Sequence, residues 1–116
     1  MYTSAQQLQG GSPVCQQLDL VANAGVAVLL DGQQIALFYV PGAEPELYAV
    51  SNWDPIGKAS VISRGIVGDK GGELVVASPL YKQHFRLRDG QCIEEPDVSL
   101  SSYPAVIADG VVLVST

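Results

Sequence analysis

The chain offers few residues able to do chemistry. His84 is the only His, and Cys15 and Cys92 are the only thiols in 116 residues. A four-thiolate zinc site or iron–sulfur cluster, a two-Cys two-His Rieske cluster and a three-His catalytic zinc are all beyond this inventory. A nucleophile–base pair would have to use His84. Serines are plentiful, but no G-x-S-x-G is present, and His84 reads as a half-buried polar residue beside a strand. Gly68-Asp69-Lys70-Gly71-Gly72 lacks the spacing of a phosphate-binding P-loop and reads as a hairpin tip. Glu44 with Glu46, and Glu94 with Glu95, flank prolines and read as solvated surface. Asn52-x-Asp54 brings two oxygen donors together, too few for a cation site.

The elements that must position these residues read as strands. Asp31-Gly32 and Asp109-Gly110 each sit between two apolar runs, the signature of a two-residue hairpin needing positive φ at both positions. Asp89-Gly90 is a third such turn. Strands are expected at Val14-Cys15, Gly25 to Leu30, Ile35 to Val40, Leu47 to Val50, Leu74 to Ala77, Phe85 to Leu87, Ala105 to Ala108 and Val111 to Val114. Val61 to Val67 is expected to be extended and broken at Gly65. Leu18 to Ala24 suggests a helical turn ended by Gly25, and Ile93 to Ser102 an acidic loop. Residues 1–12 are polar and expected to fray, and residues 13–116 to form a single domain. The class is antiparallel all-β, a small barrel or sandwich.

Composition sets the remaining bounds. At 47% hydrophobic and 16% charged, the chain is globular rather than disordered. All six bases fall between Lys58 and Arg88 beside only two acids, a local charge of +4; the remainder holds ten acids and no base, or −10. An acidic body is a poor nucleic-acid binder, but a basic face can steer an acidic partner. No apolar run approaches the roughly 20 residues of a membrane helix, and no basic segment precedes an apolar stretch near the start. The expectation is therefore a cytoplasmic protein with reduced thiols at Cys15 and Cys92 and no membrane partner.

Two segments carry a resemblance. Tyr48-Ala49-Val50 leads into Ser51-Asn52-Trp53-Asp54-Pro55-Ile56-Gly57, and Ser78-Pro79-Leu80-Tyr81-Lys82-Gln83-His84-Phe85-Arg86-Leu87 runs to Asp89-Gly90. This order resembles the Rieske ferredoxin family, in which a Cys-x-His loop is followed, after a hairpin, by Cys-Pro-x-His. On that pattern the ligand positions fall on Asp54, Ile56, Ser78 and Tyr81, all replaced, while Pro79, Phe85 and Gly90 match the rest. His84 is out of register. Ala49 to Pro55, Ser63 to Asp69 and Ala77 to Phe85 further resemble the small-subunit family of assimilatory NAD(P)H-dependent nitrite reductase, from about Val14 to Val114.

That resemblance implies a Rieske-like fold with a two-loop, cluster-binding-like subdomain. It implies an accessory chain without a cofactor, catalytic residue or metal site of its own, inactive in isolation. Its expected partner is a large subunit carrying FAD, a [4Fe–4S] cluster and sirohaem, which reduces nitrite to ammonium in a six-electron reaction. The two vestigial loops would form the docking tip, with Asp54, Ile56, Arg64, Tyr81, Lys82 and His84 as candidates. The alternative is a stand-alone, cofactor-free binding or regulatory module on the same scaffold.

Overall fold

A computed structural model describes residues 11–116; of the residues 1–12 expected to fray, 1–10 lie outside them and Ser12 instead opens a strand. Twelve strands follow in order: β1 (Ser12–Gln16), β2 (Ala24–Leu30), β3 (Gln33–Tyr39), β4 (Leu47–Ser51), β5 (Trp53–Asp54), β6 (Ala59–Ser60), β7 (Ile66–Lys70), β8 (Glu73–Ala77), β9 (His84–Arg86), β10 (Ser102–Tyr103), β11 (Ala105–Ala108) and β12 (Val111–Val114). Short 3₁₀ turns occupy Gln17–Asp19 and Ile62–Arg64.

The central layer is the four-stranded sheet β10-β4-β3-β2. Its organiser is β3, whose run Ile35-Ala36-Leu37-Phe38 is fully buried. A strand covered on both faces has no polar side to alternate with, which is why this stretch reads as continuously apolar. Ile35 and Leu37 face one core, shared with Leu47, Ala49, Val112 and Val114. Ala36 and Phe38 face the other, shared with Tyr48, Val50, Ile62, Val76, Phe85, Leu87, Cys92 and Leu100. The sheet β1-β12-β11 covers the first core, and β7-β8-β9 covers the second. The result is a layered sandwich; the sheets do not close on themselves, so the barrel alternative is set aside. Cys15 packs beside one core and Cys92 within the other, on opposite sides of the central sheet, and both are free.

Local chemistry explains the turns. Asp31 and Gly32 have φ of 52° and 78°, and Asp109 and Gly110 repeat those values, as the two-residue hairpin requires. Asp69 and Lys70, expected in the turn, instead finish β7, and the tip is Gly71-Gly72.

Four expectations need correction. The helical turn expected over Leu18 to Ala24 shrinks to Gln17–Asp19. Gly25 ends nothing; it lies inside β2, where a Cβ would collide with the Ser63 backbone and Phe38, so the glycine lets the Ile62–Arg64 turn press on the sheet. That turn also interrupts the extended stretch expected from Val61. The acidic loop after Ile93 is anchored by Leu100, which joins Cys92 in the core.

Candidate functional site

The two loops singled out by sequence meet, and they are built alike. The first opens at Asp54 and closes at Lys58, whose N–H donates to the Asp54 carbonyl at 2.7 Å. The second opens at Ser78 and closes at Lys82, whose N–H donates to the Ser78 carbonyl at 3.1 Å. Both lysines sit in the left-handed region, with φ of 60° and 66°, which is uncommon for a residue with a Cβ. The heads of the loops are joined directly, because the Ser78 hydroxyl donates to Asp54 Oδ2 at 2.5 Å. The other Asp54 oxygen accepts the N–H groups of Ile56 and Gly57, at 2.8 and 2.9 Å. A buried carboxylate persists only when its lone pairs are taken up, and Asp54, at 0% exposure, meets that demand with three donors.

Around this tie the remaining side chains divide. Ile56 turns inward and packs against the core. Leu80 covers Gly57, where any Cβ would land on the Leu80 side chain. Leu80 remains 45% exposed and Tyr81 63% exposed, so the second loop presents an apolar and aromatic surface. Three of the six bases are neutralised in ion pairs: Lys70 with Glu94, Arg86 with Asp89 and Arg88 with Glu73. Among the described residues, Lys58, Arg64 and Lys82 make no ion pair and are exposed.

Of the candidate positions, Asp54 and Ser78 are brought together but buried, so Asp54 holds the loops rather than meeting a partner. Tyr81 and Lys82 are displayed. Arg64 sits apart, on the 3₁₀ turn against β2 and β3. His84 lies away from the tie, on the outer face of the β7-β8-β9 sheet, its Nδ1 2.6 Å from Glu94 Oε2 and its backbone N–H donating to Glu94 Oε1 at 2.8 Å. Glu94, expected to be merely solvated, is thus a bound partner. Burial pushes its carboxyl up, but the His84 backbone and ring bonds outweigh that and hold it below its ordinary value. The Asn52 side chain is engaged within the fold: its amide donates to Gln34 and the Ser60 carbonyl, and its oxygen accepts the Ser63 N–H. Sequence reasoning missed Lys58 and Leu80, although the shared Pro-x-x-Lys spacing after Asp54 and Ser78 signalled that the loops correspond.

A [2Fe–2S] cluster of the Rieske kind needs two thiolates and two imidazoles. The equivalent positions supply a carboxylate, an aliphatic chain, a hydroxyl and a phenol. Two of the four are bonded to each other, and a third points into the core. The residues do not fit the group.

A strand-built sandwich whose two equivalent loops meet at one end defines the class, and the chain belongs to the Rieske-like [2Fe-2S] domain family, matched over residues 12–115. Within that class it is a relative of nitrite reductase small subunits. The nitrite reductase (NADH) small subunit of Salmonella typhimurium is 46% identical over 99 residues, 85% of this chain and 91% of the relative. The solved structure of the E. coli protein NirD superposes with a TM-score of 0.81 at 41% identity, covering 90% of this chain and 94% of that one. A nitrite reductase [NAD(P)H] large subunit from Klebsiella oxytoca is 39% identical over 101 residues, 87% of this chain and 10% of the larger one. No described helix is long and apolar enough to cross a membrane.

Proposed function

We propose that this chain is an accessory subunit of a cytoplasmic NAD(P)H-dependent nitrite reductase, without a redox centre of its own. It docks through the two-loop tip onto a large subunit that carries FAD, [4Fe–4S] and sirohaem and performs the six-electron reduction of nitrite to ammonium. The observation that carries this reading is the Asp54–Ser78 bond, which occupies the place of two cluster ligands on a fold shared with nitrite reductase small subunits. Fusion of an equivalent segment into the Klebsiella large polypeptide supports the partnership.

The chemistry of the tip suits docking. Leu80 and Tyr81 offer apolar and aromatic contact, and Lys58 and Lys82, on the same two loops, have no ion-pair partner among the described residues. Charged rims of this type set encounter rate and salt dependence. Such a tip fits an apolar recess with an acidic margin. The role is therefore positional: the chain binds and orients, and electron transfer belongs to the partner.

The test is reconstitution. The purified chain is expected to be colourless, to lack stoichiometric iron and acid-labile sulfide, and to reduce no nitrite alone. It is expected to bind the large subunit and raise its nitrite reductase activity. Brown, iron-bearing protein would overturn the cofactor-free reading, and failure to bind any flavin–sirohaem chain would favour a stand-alone module.

A further inference from the structure

We propose that Glu94 is a positioning residue for the docking tip: its carboxylate holds one root of the second loop at His84, as Asp54 holds the other root at Ser78. This rests on the two-loop docking reading and names what keeps Tyr81 and Lys82 in place for the partner.

The loop over residues 78–83 hangs between β8 and β9. The Ser78 N–H donates to the Gln83 carbonyl at 2.9 Å, and Ala77 pairs with His84 one step further in. β8 is flanked on both sides, by β7 and β9. β9 is the outermost strand of its sheet and only three residues long. Its main-chain groups alternate in direction: Gln83 and Leu87 bond toward β8, while His84 and Arg86 turn outward. The outward His84 carbonyl accepts the Ile93 N–H at 2.8 Å. Where a further strand would offer a carbonyl to the His84 N–H, Glu94 Oε1 accepts it instead, at 2.8 Å, and Oε2 lies 2.6 Å from His84 Nδ1. One carboxylate thus stands in for a strand and fixes both the main chain and the ring of the residue on which the loop lands.

The two roots differ in what can reach them. Asp54 is fully buried, whereas the Glu94 side chain is 37% exposed and open to protons. The charged and titratable groups facing Glu94 are Lys70 of β7, whose Nζ is 3.8 Å from Oε2, His84 of β9, and the Cys92 thiol, 3.8 Å from Oε1; Glu95 adjoins it in the chain. Protonating Glu94 removes the charge that draws the His84 ring and weakens its hold on the N–H, so the root loosens while the Asp54–Ser78 tie stays. Between the roots, the Leu80 and Lys82 N–H groups both bond back to Ser78, at its hydroxyl and its carbonyl. The exposed Tyr81 and Lys82 side chains must be ordered when a partner binds, and a loop fixed at both ends has less left to order.

The experiment uses the full-length, isotope-labelled chain in two arms. In the free chain, the Tyr81 and Lys82 amide signals are expected to move with the Glu94 carboxyl as pH falls from neutral, and Glu94→Gln is expected to abolish that step. Against purified large subunit, Glu94→Ala is expected to bind about tenfold more weakly, the scale of ordering two side chains at an interface. Glu94→Gln keeps an oxygen for the His84 N–H and is expected to bind within about threefold of wild type. In a background carrying Tyr81→Ala and Lys82→Gly, Glu94→Ala is expected to cause no further loss, because it acts through those two residues. Tyr81 and Lys82 signals that ignore the Glu94 step, or that move identically in Glu94→Gln because the step belongs to Asp54, overturn the inference whether or not Glu94→Ala folds. Wild-type affinity in folded Glu94→Ala, or an equal loss with and without Tyr81 and Lys82, overturns it too, and leaves the tip reading standing if Lys82→Glu weakens binding. A wild-type chain that binds no large subunit overturns both readings.

Discussion

Lys58 and Lys82 occupy the same place in two different loops. Each closes a five-residue turn by donating its backbone N–H to the residue that opens it, and each does so with positive φ. The openers, Asp54 and Ser78, are bonded to each other. The tip is therefore a matched pair of turns, fastened at the base and carrying a cation at the end of each.

The fastening predicts a stability loss. Asp54→Ala leaves two backbone N–H groups and the Ser78 hydroxyl without their acceptor in a buried site, and is expected to cost about 2–4 kcal/mol in urea unfolding. Asp54→Asn keeps one acceptor oxygen and is expected to cost about 1–2 kcal/mol. Equal stability of all three proteins would remove the carboxylate from its structural role.

The lysines predict a separation of binding from folding. Lys82→Gly relieves a left-handed residue of its Cβ and is expected to leave stability unchanged or raise it by about 0.5–1 kcal/mol. Lys82→Glu and Lys58→Glu are expected to weaken capture by the large subunit, most strongly at low salt, because exposed charge is screened within about 10 Å at 0.1 M. Binding measured across a salt series checks both.

Glu94 predicts an acid-side dependence. Its folded-state carboxyl lies below its ordinary value, despite the opposing effect of burial, because the His84 N–H and ring bond it. A depressed carboxyl contributes stability above the unfolded-state range, and that contribution is lost as pH falls through the folded value. The stability gap between wild type and Glu94→Gln is expected to be fully present above roughly pH 5 and to close with acidification. Denaturant midpoints from neutral pH downward give the comparison; a gap that widens in acid would reverse the assignment.

Gly90 predicts the steric limit of the third Asp-Gly turn. Its φ is +80°, and a Cβ there would fall on the Leu100 carbonyl. Gly90→Ala is expected to lower stability by about 2–4 kcal/mol, since neither the dihedral nor the contact can relax alone. A melting temperature within a degree of wild type would contradict it.

The hairpins at Asp31-Gly32 and Asp109-Gly110 were legible because their chemistry is local: two residues that tolerate positive φ between apolar runs. The run at Ile35 to Phe38 was legible as a strand, but its burial on both faces depends on two other sheets, β1-β12-β11 from the two ends of the described chain and β7-β8-β9 from its middle. The roles of Gly25 and Glu94 were hidden for the same reason. One accommodates Ser63 and the other binds His84, both distant partners that neither periodicity nor composition reports. At the tip, the residue types ruled out a Rieske ligand set from sequence alone. That Asp54 would turn inward to Ser78, leaving Leu80 and Lys58 on display, required the loops to be seen together.

β3 gives adjacent residues to separate interiors: Ile35 and Leu37 to one, Ala36 and Phe38 to the other. Sliding this strand by a single position would spoil both at once, since every side chain would change sides. An insertion or deletion within β3 is thus penalised twice, whereas added length at Asp31-Gly32, where neither glycine contact nor core packing constrains the chain, falls on open solvent.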